Sequence, residues 1–210
     1  MAIEKYANKT AGDLAADIAS PDGAPGGGSA LGMVGACAAA LGEMEGNLTL
    51  GKEKYKDSEE EILHCISCLK TLRAYMLHLI DEDIKAFAPL SKYLPMDKTD
   101  PKVRAHYQAS LRLACAIPNE MMYKAAETAK YVAILAEKGC LGAVSDAGVA
   151  LCLCRAVMEG ARFTTLANVK YFDDEIYAMT LIREMEIVFT ETMPQIQAAL
   201  AVVEQRLSRK

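Results

Sequence analysis

The segment Pro21-Asp-Gly-Ala-Pro-Gly-Gly-Gly-Ser29 decides how the rest of the chain is interpreted. Its prolines and glycines exclude a regular helix, because proline lacks an N–H donor and glycine tolerates irregular backbone. Ser29 is a good helix N-cap and precedes a run of small apolar residues. A glycine loop that opens onto a helix N-terminus offers free N–H groups to an anion or a polar ligand edge. The alternative is a flexible connector.

The sequence on both sides of this loop predicts an all-α fold. Its length of 210 residues suits a single domain, 1–210, and 52% of the residues are apolar while only 6% are aromatic. Apolar residues recur at three- and four-residue steps, and no run of alternating β-branched residues occurs. We therefore expect a single-domain bundle of about six to eight helices.

Prolines and glycines set the expected helix ends. A helix rich in glycine and alanine is expected over 29–48, and its glycines at helical spacing predict close packing against other backbones. The longest apolar pattern, 58–88, is expected to end at Pro89. Pro118 is expected to break or kink the next helix, and Pro194 to kink the last one.

Composition excludes several classes of function. A net charge of −5 and the absence of a basic stripe argue against nucleic-acid binding. The first five residues lack a signal pattern, and the stretch 30–41, taken as the most apolar, is too short to span a bilayer. The seven cysteines lie mostly within apolar helical patterns, which predicts reduced thiols in a cytoplasmic protein.

Asp83 falls where an apolar side chain is expected. It lies three residues after Ile80 and four before Phe87, so it shares the apolar stripe of its helix. A carboxylate on such a stripe is unfavourable unless it is paired or hydrogen-bonded. It is therefore a candidate acid or base, and the alternative is a buried partner for Arg73 or a lysine.

Asp146 and Asn168 lie on the apolar face of a later helix. Asp146 precedes Val149 by three residues and Leu153 by seven, and Asn168 continues that face. A site role is one interpretation of Asp146. The other is a first-turn acid that the helix dipole favours.

The sequence predicts no metal and no cofactor. Cys65-x-x-Cys68 has no second cysteine pair and lies inside a helical pattern, so chance core thiols explain it better than a zinc or redox motif. The three histidines lack a zinc-binding spacing. There is also no phosphate-binding loop after a strand, which argues against a nucleotide site.

Several motifs together resemble the formiminotransferase-cyclodeaminase family. The loop 20–29 leads through the glycine-rich helix to Asn47-Leu-Thr-Leu-Gly-Lys-Glu-Lys-Tyr55, and this combination is specific. Three later stretches also fit: Asp81-Glu-Asp-Ile-Lys-Ala-Phe87, Ser145-Asp-Ala-Gly-Val-Ala150 and Asn168-Val. The chain departs from the family at Lys170-Tyr171-Phe172, where relatives often carry a second Asn. The resemblance covers nearly the whole chain and predicts a stand-alone version without the transferase domain.

The resemblance implies an all-α homodimer that acts on one-carbon derivatives of tetrahydrofolate. The expected reaction is hydrolysis of 5,10-methenyltetrahydrofolate to 10-formyltetrahydrofolate. One alternative is the cyclodeaminase reaction, in which formiminotetrahydrofolate closes and releases ammonia. Another is an inactive folate-binding or scaffold protein. Neither reaction needs a metal or a redox cofactor, and general acid–base chemistry by a half-buried carboxylate suits both.

The resemblance and the stripe positions together give a set of candidate site residues. Asp83 is the first candidate for the acid or base, and Asp146 is the alternative or holds the cation or the pterin edge. The folate glutamate tail is anionic, and two lysines after the glycine-rich helix are expected to meet it. We expect one folate pocket to be lined by the two aspartates and by the substrate-binding residues Gly27, Gly28, Ser29, Asn47, Lys52, Lys54, Tyr55 and Asn168.

Overall fold

The computed structural model describes residues 6–208, and within that range it contains helices and no strand. The helices are α1 (Ala11–Ile18), α2 (Gly27–Thr49), α3 (Glu59–Tyr93), α4 (Pro101–Lys138), α5 (Val144–Val169) and α6 (Glu175–Ser208). One short 3-10 turn precedes α1, and two more lie between α2 and α3 and between α4 and α5. The predicted all-α bundle of about six to eight helices is confirmed. The ends of the predicted domain, 1–5 and 209–210, lie outside the described residues.

Helix α2 is the central helix, in contact with α3, α4 and α5. Its glycines permit the close approach that their spacing predicted. A Cβ atom on Gly35 would lie 1.9 Å from Met76 Cε, and one on Gly32 would lie 2.7 Å from Ile80 Cγ1. The glycine face is therefore buried within the protein, against α3.

Helices α2 and α5 run in opposite directions. Near the start of α2, Leu31 lies so close to Gly160 in the second half of α5 that a Cβ on Gly160 would be 2.6 Å from it. At the other end of α2, the Thr49 hydroxyl accepts a hydrogen bond of 2.8 Å from the backbone N–H of Cys140, just before α5 begins. Each end of the bundle thus combines the start of one of these helices with the end of the other.

The helix that was predicted to end at Pro89 continues past it, and at Pro118, where a break or a kink was predicted, there is no break. Helix α3 continues through Pro89 to Tyr93, and α4 is one helix of 38 residues with Pro118 inside it. A proline inside a helix costs about 3 kcal/mol. Buried side chains on both sides of Pro118, such as Leu111 and Met121, each contribute about 1.5–3 kcal/mol, so their packing outweighs that cost.

One segment of the described chain, Leu141–Val169, is long and apolar enough to cross a membrane, with a mean hydropathy of 1.6 in its most apolar window. In the structure this segment contains α5, and 44% of the window is buried in the protein. Its length and composition are therefore weak evidence for a membrane span, because the core helix of a bundle has the same properties.

Candidate active site

The glycine loop leads into α2 earlier than the sequence predicted. The helix begins at Gly27 with Gly26 as its N-cap, so Ser29 is not the cap and lies within the first turn. Ser29 is fully buried, and its hydroxyl donates a hydrogen bond of 2.9 Å to Asp83 Oδ2. The first turn of α2 is therefore joined directly to the acidic segment of α3.

Asp83 is half-buried, and its environment acts on its pKa in two directions. Burial raises the pKa of the carboxyl, and the hydrogen bonds from the hydroxyl and backbone N–H of Ser29 partly oppose this effect, so the net shift is upward. Arg73, its alternative partner in the sequence interpretation, instead pairs with Glu43 at 2.8 Å. A carboxyl with a raised pKa and one hydroxyl partner suits proton transfer near neutral pH.

Gly28 lacks a side chain because the Asp83 carboxylate occupies the adjacent space. A Cβ atom on Gly28 would lie 2.0 Å from Asp83 Oδ1. Gly27 faces open space instead, with no atom within 4 Å of the position of a Cβ. The two adjacent glycines therefore serve different purposes, and only Gly28 is required by contact with the carboxylate.

A cavity of about 120 Å³ opens beside Asp83. The loop forms one wall, and helices α3, α4 and α5 form the others; the lining residues are Gly23, Ala24, Gly26, Gly27, Gly28, Asp83, Phe87, Ala114, Thr164 and Asn168. The Asn168 side-chain N–H donates 3.2 Å to the Thr164 carbonyl, which fixes the amide at the cavity wall. Five of the predicted site residues, Gly27, Gly28, Ser29, Asp83 and Asn168, thus lie together.

The other predicted site residues lie at the far end of α2. Asn47 is in its last turn, and exposed Lys52 and Lys54 follow it. The Tyr55 hydroxyl accepts a hydrogen bond of 3.3 Å from the backbone N–H of Leu141, which places this turn beside the start of α5 and Asp146. These residues therefore form a second group.

The two groups are separated by almost the full length of α2. Gly28 and Asn47 are 19 positions apart on one helix, which corresponds to about 28 Å. The expectation of one pocket lined by all the candidate residues is therefore wrong for a single protomer. The physical reason is that the two motifs, which are close in sequence, lie at opposite ends of the straight helix α2.

Glu45 is a buried acid that the sequence interpretation missed. Its side chain is fully buried, and neither carboxyl oxygen has a hydrogen-bond partner among residues 6–208. Burial raises its pKa to about 8; the charge of Arg206 opposes the shift, and that of Asp146 adds to it. The signal was available in the sequence, because Glu45 continues the buried stripe of Gly35, Ala38 and Gly42 at three- and four-residue steps.

Comparison with known proteins places this geometry in a family. The model of a family described as formiminotransferase-cyclodeaminase matches residues 10–187, which is most of the chain and includes both groups of candidate residues. The chain belongs to the formiminotransferase-cyclodeaminase family. The resemblance seen in the motifs is thereby confirmed.

Three relatives put this family member in context. A Methylorubrum extorquens protein named methenyltetrahydrofolate cyclohydrolase is 33% identical over 188 residues, covering 88% of this chain and 90% of the relative. The mouse formimidoyltransferase-cyclodeaminase is 27% identical over 90% of this chain, which spans only 36% of that longer protein. The crystal structure of the formiminotetrahydrofolate cyclodeaminase from Thermotoga maritima matches with a TM-score of 0.82 and 27% identity, over 95% of this chain and 96% of that one.

Metal binding finds no support in the geometry of this family member. Among residues 6–208, no group of three or more His, Cys, Asp or Glu side chains is placed to hold a metal ion. The absence of a metal or cofactor from the reaction stays a prediction from sequence.

We expect the substitution Glu45→Gln in this family member to flatten the dependence of stability on pH. The folded protein keeps the Glu45 proton up to about pH 8, whereas the unfolded chain releases it near the ordinary value of 4.5. The free energy of unfolding should therefore fall as the pH rises from 4.5 to 8, by about 1.4 kcal/mol per pH unit at most. The glutamine side chain stays neutral throughout, so the variant should be more stable than the parent at pH 8.

Guanidinium unfolding curves at pH 5, 6, 7 and 8 test this expectation. Glu43→Gln, two residues earlier on α2, removes a carboxylate that pairs with Arg73 near the surface, and it serves as the control. Parallel stability profiles for the parent and Glu45→Gln would contradict the assignment of this carboxyl as the pH-sensitive group.

Proposed function

We propose that this protein hydrolyses 5,10-methenyltetrahydrofolate to 10-formyltetrahydrofolate. The observation that carries the proposal is its similarity, over nearly the full length of both chains, to a protein named methenyltetrahydrofolate cyclohydrolase. The Asp83 cavity is compatible with the chemistry, because it places a carboxyl of raised pKa beside the open N-terminus of a helix.

In the proposed reaction Asp83 is the general base. The bridging carbon of the substrate belongs to a cationic amidinium group, and water adds to it. Asp83 accepts a proton of that water as the C–O bond forms, which gives a neutral adduct with a hydroxyl group on the bridging carbon. The adduct hydroxyl then loses its proton to solvent as the C=O bond forms, the C–N5 bond breaks, and N5 takes up the proton held by Asp83, which leaves the formyl group on N10 and restores the carboxylate. The charge of the substrate attracts the ionised carboxylate, while the Ser29 hydroxyl holds that carboxylate in one orientation.

The first turn of α2 supplies the remaining polar contacts. Its free backbone N–H groups, at Gly27 and Gly28, and the positive end of the helix suit the oxygen of the tetrahedral adduct, where negative charge develops. Asn168, fixed by its bond to Thr164, offers an amide oxygen to the pterin edge. Absent side chains at the glycines let a flat ligand approach the backbone.

Cyclodeamination of formiminotetrahydrofolate is the second candidate. It is favoured by the structural likeness to the Thermotoga maritima protein, whose name states that activity. The same carboxyl would then donate a proton to the leaving ammonia rather than accept one from water. The cyclohydrolase remains the first choice because the relative with that name has the higher sequence identity.

The size of the cavity supports a site shared between two copies of the chain. A volume of about 120 Å³ is well below the 300–1,000 Å³ typical of ligand pockets. The neighbouring helices α2 and α5 each carry exposed apolar or small side chains at three-, four- and seven-residue steps, on one face of each helix. We call this set the α2–α5 strip: Cys37, Met44, Leu48, Val149, Cys152, Ala156 and Phe163. Exposed apolar side chains grouped in this way suit a homodimer interface.

Pairing two copies across the α2–α5 strip would join the two groups of candidate residues. In an isologous dimer with antiparallel α2 helices, the Asp83 end of one protomer lies beside the Asp146 end of its partner. Each of the two sites would then receive Asp83 from one copy, and Asp146, Asn47 and the Lys52–Tyr55 turn from the other. This arrangement explains why one chain contains all the motifs but does not bring them together.

Mixed dimers of two inactive variants test whether each site is shared between two copies of the chain. Asp83→Asn and Asp146→Asn should each lose most activity as homodimers. Unfolding and refolding them together should produce half heterodimers, each with one intact site and one doubly substituted site, so about a quarter of the parent activity should return. The measurement is turnover of methenyltetrahydrofolate before and after mixing.

The control is each variant refolded alone, which should stay inactive. No recovery on mixing would contradict the shared site, provided that a tagged copy shows that the heterodimer has formed. Full activity in Asp146→Asn alone would remove that residue from the site.

A spectrophotometric assay of both substrates tests the proposed function itself. The loss of methenyltetrahydrofolate is followed by its near-ultraviolet absorbance, and release of ammonia from formiminotetrahydrofolate by a coupled assay. Turnover of the first substrate well above that of the second supports the proposal. The reverse preference supports the cyclodeaminase, and tight folate binding with neither turnover supports the inactive binding protein.

We infer a reducing compartment for this activity, in line with the expected cytoplasmic location. All seven cysteines lie within the described residues as free thiols, and two of them, Cys37 and Cys152, are exposed. Seven cysteines without a disulfide are typical of proteins kept in reducing surroundings. Fractionation of the cells that make the protein would test the location.

A further inference from the structure

A second cavity lies beyond the Asp83 cavity and none of the candidate residues belongs to it. Its volume is about 450 Å³, and it opens between the end of α3, the start of α4 and the turn after α5. It is lined by Leu94, Lys98, Tyr107 and Tyr171, together with the ion pair of Arg104 and Asp173. Tyr107 is nearly buried, while Tyr171 is about half exposed.

The two cavities are formed by the same three parts of the bundle. On α3, Phe87 lines the first and Leu94, directly after the helix, lines the second. On α4, Ala114 lines the first cavity and Tyr107, seven positions earlier, lines the second. Seven helical positions are about two turns, or roughly 10.5 Å, and both positions lie on one face. Buried Leu90 and Leu111 fill the space between these two faces. The turn after α5 borders both cavities, because Asn168 lines the first and Tyr171 the second, so a ligand that extends from Asp83 would reach the second cavity over this turn.

One of the two cations that line the second cavity forms no ion pair within residues 6–208. Arg104 donates two hydrogen bonds, of 2.7 and 2.6 Å, to the Asp173 carboxylate, so that pair is neutral. Lys98 has no carboxylate within ion-pair distance in the part of the chain that is described. Its ammonium donates to the Leu94 carbonyl and lies 5.2 Å from the centre of the Tyr107 ring.

The carboxylate of Asp97, the neighbour of Lys98 in sequence, makes its hydrogen bonds with Thr99, although the charge of Lys98 also helps to lower the pKa of that carboxyl. It accepts hydrogen bonds of 2.9 and 2.8 Å from the backbone N–H and the hydroxyl of Thr99. The ammonium of Lys98 is therefore available to an incoming anion, at the rim of a cavity walled by two tyrosine rings. That combination suits a ligand with an aromatic ring followed by a carboxylate.

We propose that this cavity binds the p-aminobenzoyl-glutamate part of the folate substrate, with the tyrosine rings against the benzoyl group and Lys98 facing the glutamate carboxylates. The proposal rests on the proposed folate chemistry at Asp83. A benzoyl ring and one amide linkage span a distance comparable with the two helical turns between the cavities. It differs from the sequence expectation, which assigned the glutamate tail to Lys52 and Lys54; within one protomer these two lysines lie beyond the far end of α2 from Asp83.

The test pairs one substitution with two substrates. Lys98→Met should raise the KM for methenyltetrahydrofolate about two- to fivefold, the range expected for one partly exposed ion pair, with kcat unchanged. The KM for methenyltetrahydropteroate, which lacks the glutamate, should be the same for the variant and the parent. Lys102→Met, an exposed lysine on the first turn of α4, makes the same charge change outside the cavity and should alter neither KM.

Two outcomes would overturn the proposal: an unchanged KM in Lys98→Met, or an equal rise for both substrates. A glutamate-dependent rise in Lys52→Met or Lys54→Met instead would assign the tail to the far end of α2, in the partner of a dimer. Calorimetric titration with p-aminobenzoyl-triglutamate separates this proposal from the proposed function. If the parent turns over neither folate but binds this probe through Lys98, the reaction is wrong and the cavity assignment stands; if turnover is present and the probe does not bind, the cavity assignment fails alone.

Discussion

Asp83→Asn is expected to lower kcat for methenyltetrahydrofolate by about 10²- to 10⁴-fold, the usual contribution of a general base. Asparagine has nearly the same shape and keeps an oxygen that can accept the Ser29 hydrogen bond of 2.9 Å. It cannot accept a proton from water. The fold should therefore survive, with an unchanged unfolding midpoint, and the loss should appear in the near-ultraviolet assay as a slower decay.

Glu82→Gln is the matched control for this result. Glu82 is the next residue towards the start of α3, and its carboxylate bonds with Lys85 at 2.6 Å on the outer side of the helix. The same chemical change there should leave kcat within about twofold, because surface ion pairs contribute about 0–1 kcal/mol. A turnover of Asp83→Asn equal to that of Glu82→Gln would remove Asp83 from the reaction.

Gly28→Ala is expected to abolish most activity, although it removes and adds no reactive group. The new methyl carbon would lie 2.0 Å from Oδ1 and 2.4 Å from Cγ of Asp83, so the carboxylate must move. That movement breaks the Ser29 hydrogen bond and displaces the base, and we expect a loss of about 10²-fold in kcat. Overpacking should also lower the free energy of unfolding by about 1–3 kcal/mol.

Gly27→Ala separates the displacement of Asp83 from a general effect on the loop. The position of its Cβ has no atom within 4 Å, so stability should be retained. A loss of activity there would report contact with the ligand, and it should appear mainly in KM. If Gly28→Ala kept the parent kcat, the carboxylate would have an equally productive position elsewhere, and the oriented-base interpretation would fail.

The sequence identified Asp83 because the signal is local. A charge on an apolar stripe, three residues from Ile80 and four from Phe87, needs only helical periodicity to be noticed. Its hydrogen-bond partner Ser29 could not be found in this way, since the two residues are 54 positions apart and meet through packing of α2 on α3. The same local reasoning misassigned Ser29 as the N-cap.

Local rules failed where tertiary packing opposed them. Pro118 was expected to break or kink a helix; it does not break one, because buried side chains on both sides of it maintain a single α4 despite the missing N–H. Glu45 is the opposite case, because helical periodicity alone places its carboxyl on the buried stripe of glycines and alanines of α2. Periodicity applied to every charged residue would have found it.

The separation of the two groups of candidate residues is not encoded in any single motif. Asn47, Lys52 and Tyr55 follow the glycine loop closely in sequence, and only the straight course of α2 carries them away from Asp83. Motif order gives the set of residues, whereas the length and direction of the helices decide which of them meet.

The uninterrupted run of α2 from Gly27 to Thr49 has a consequence for how this chain can vary. If two antiparallel copies complete each other's sites, the number of residues in α2 sets the distance between the two catalytic centres. Inserting one residue within α2 would rotate the rest of the helix by about 100° and shift it by about 1.5 Å along the axis. The residues that form both catalytic centres would then be misaligned. Length differences between functional relatives should therefore gather in the connections 51–58 and 94–100, and α2 should keep its number of residues.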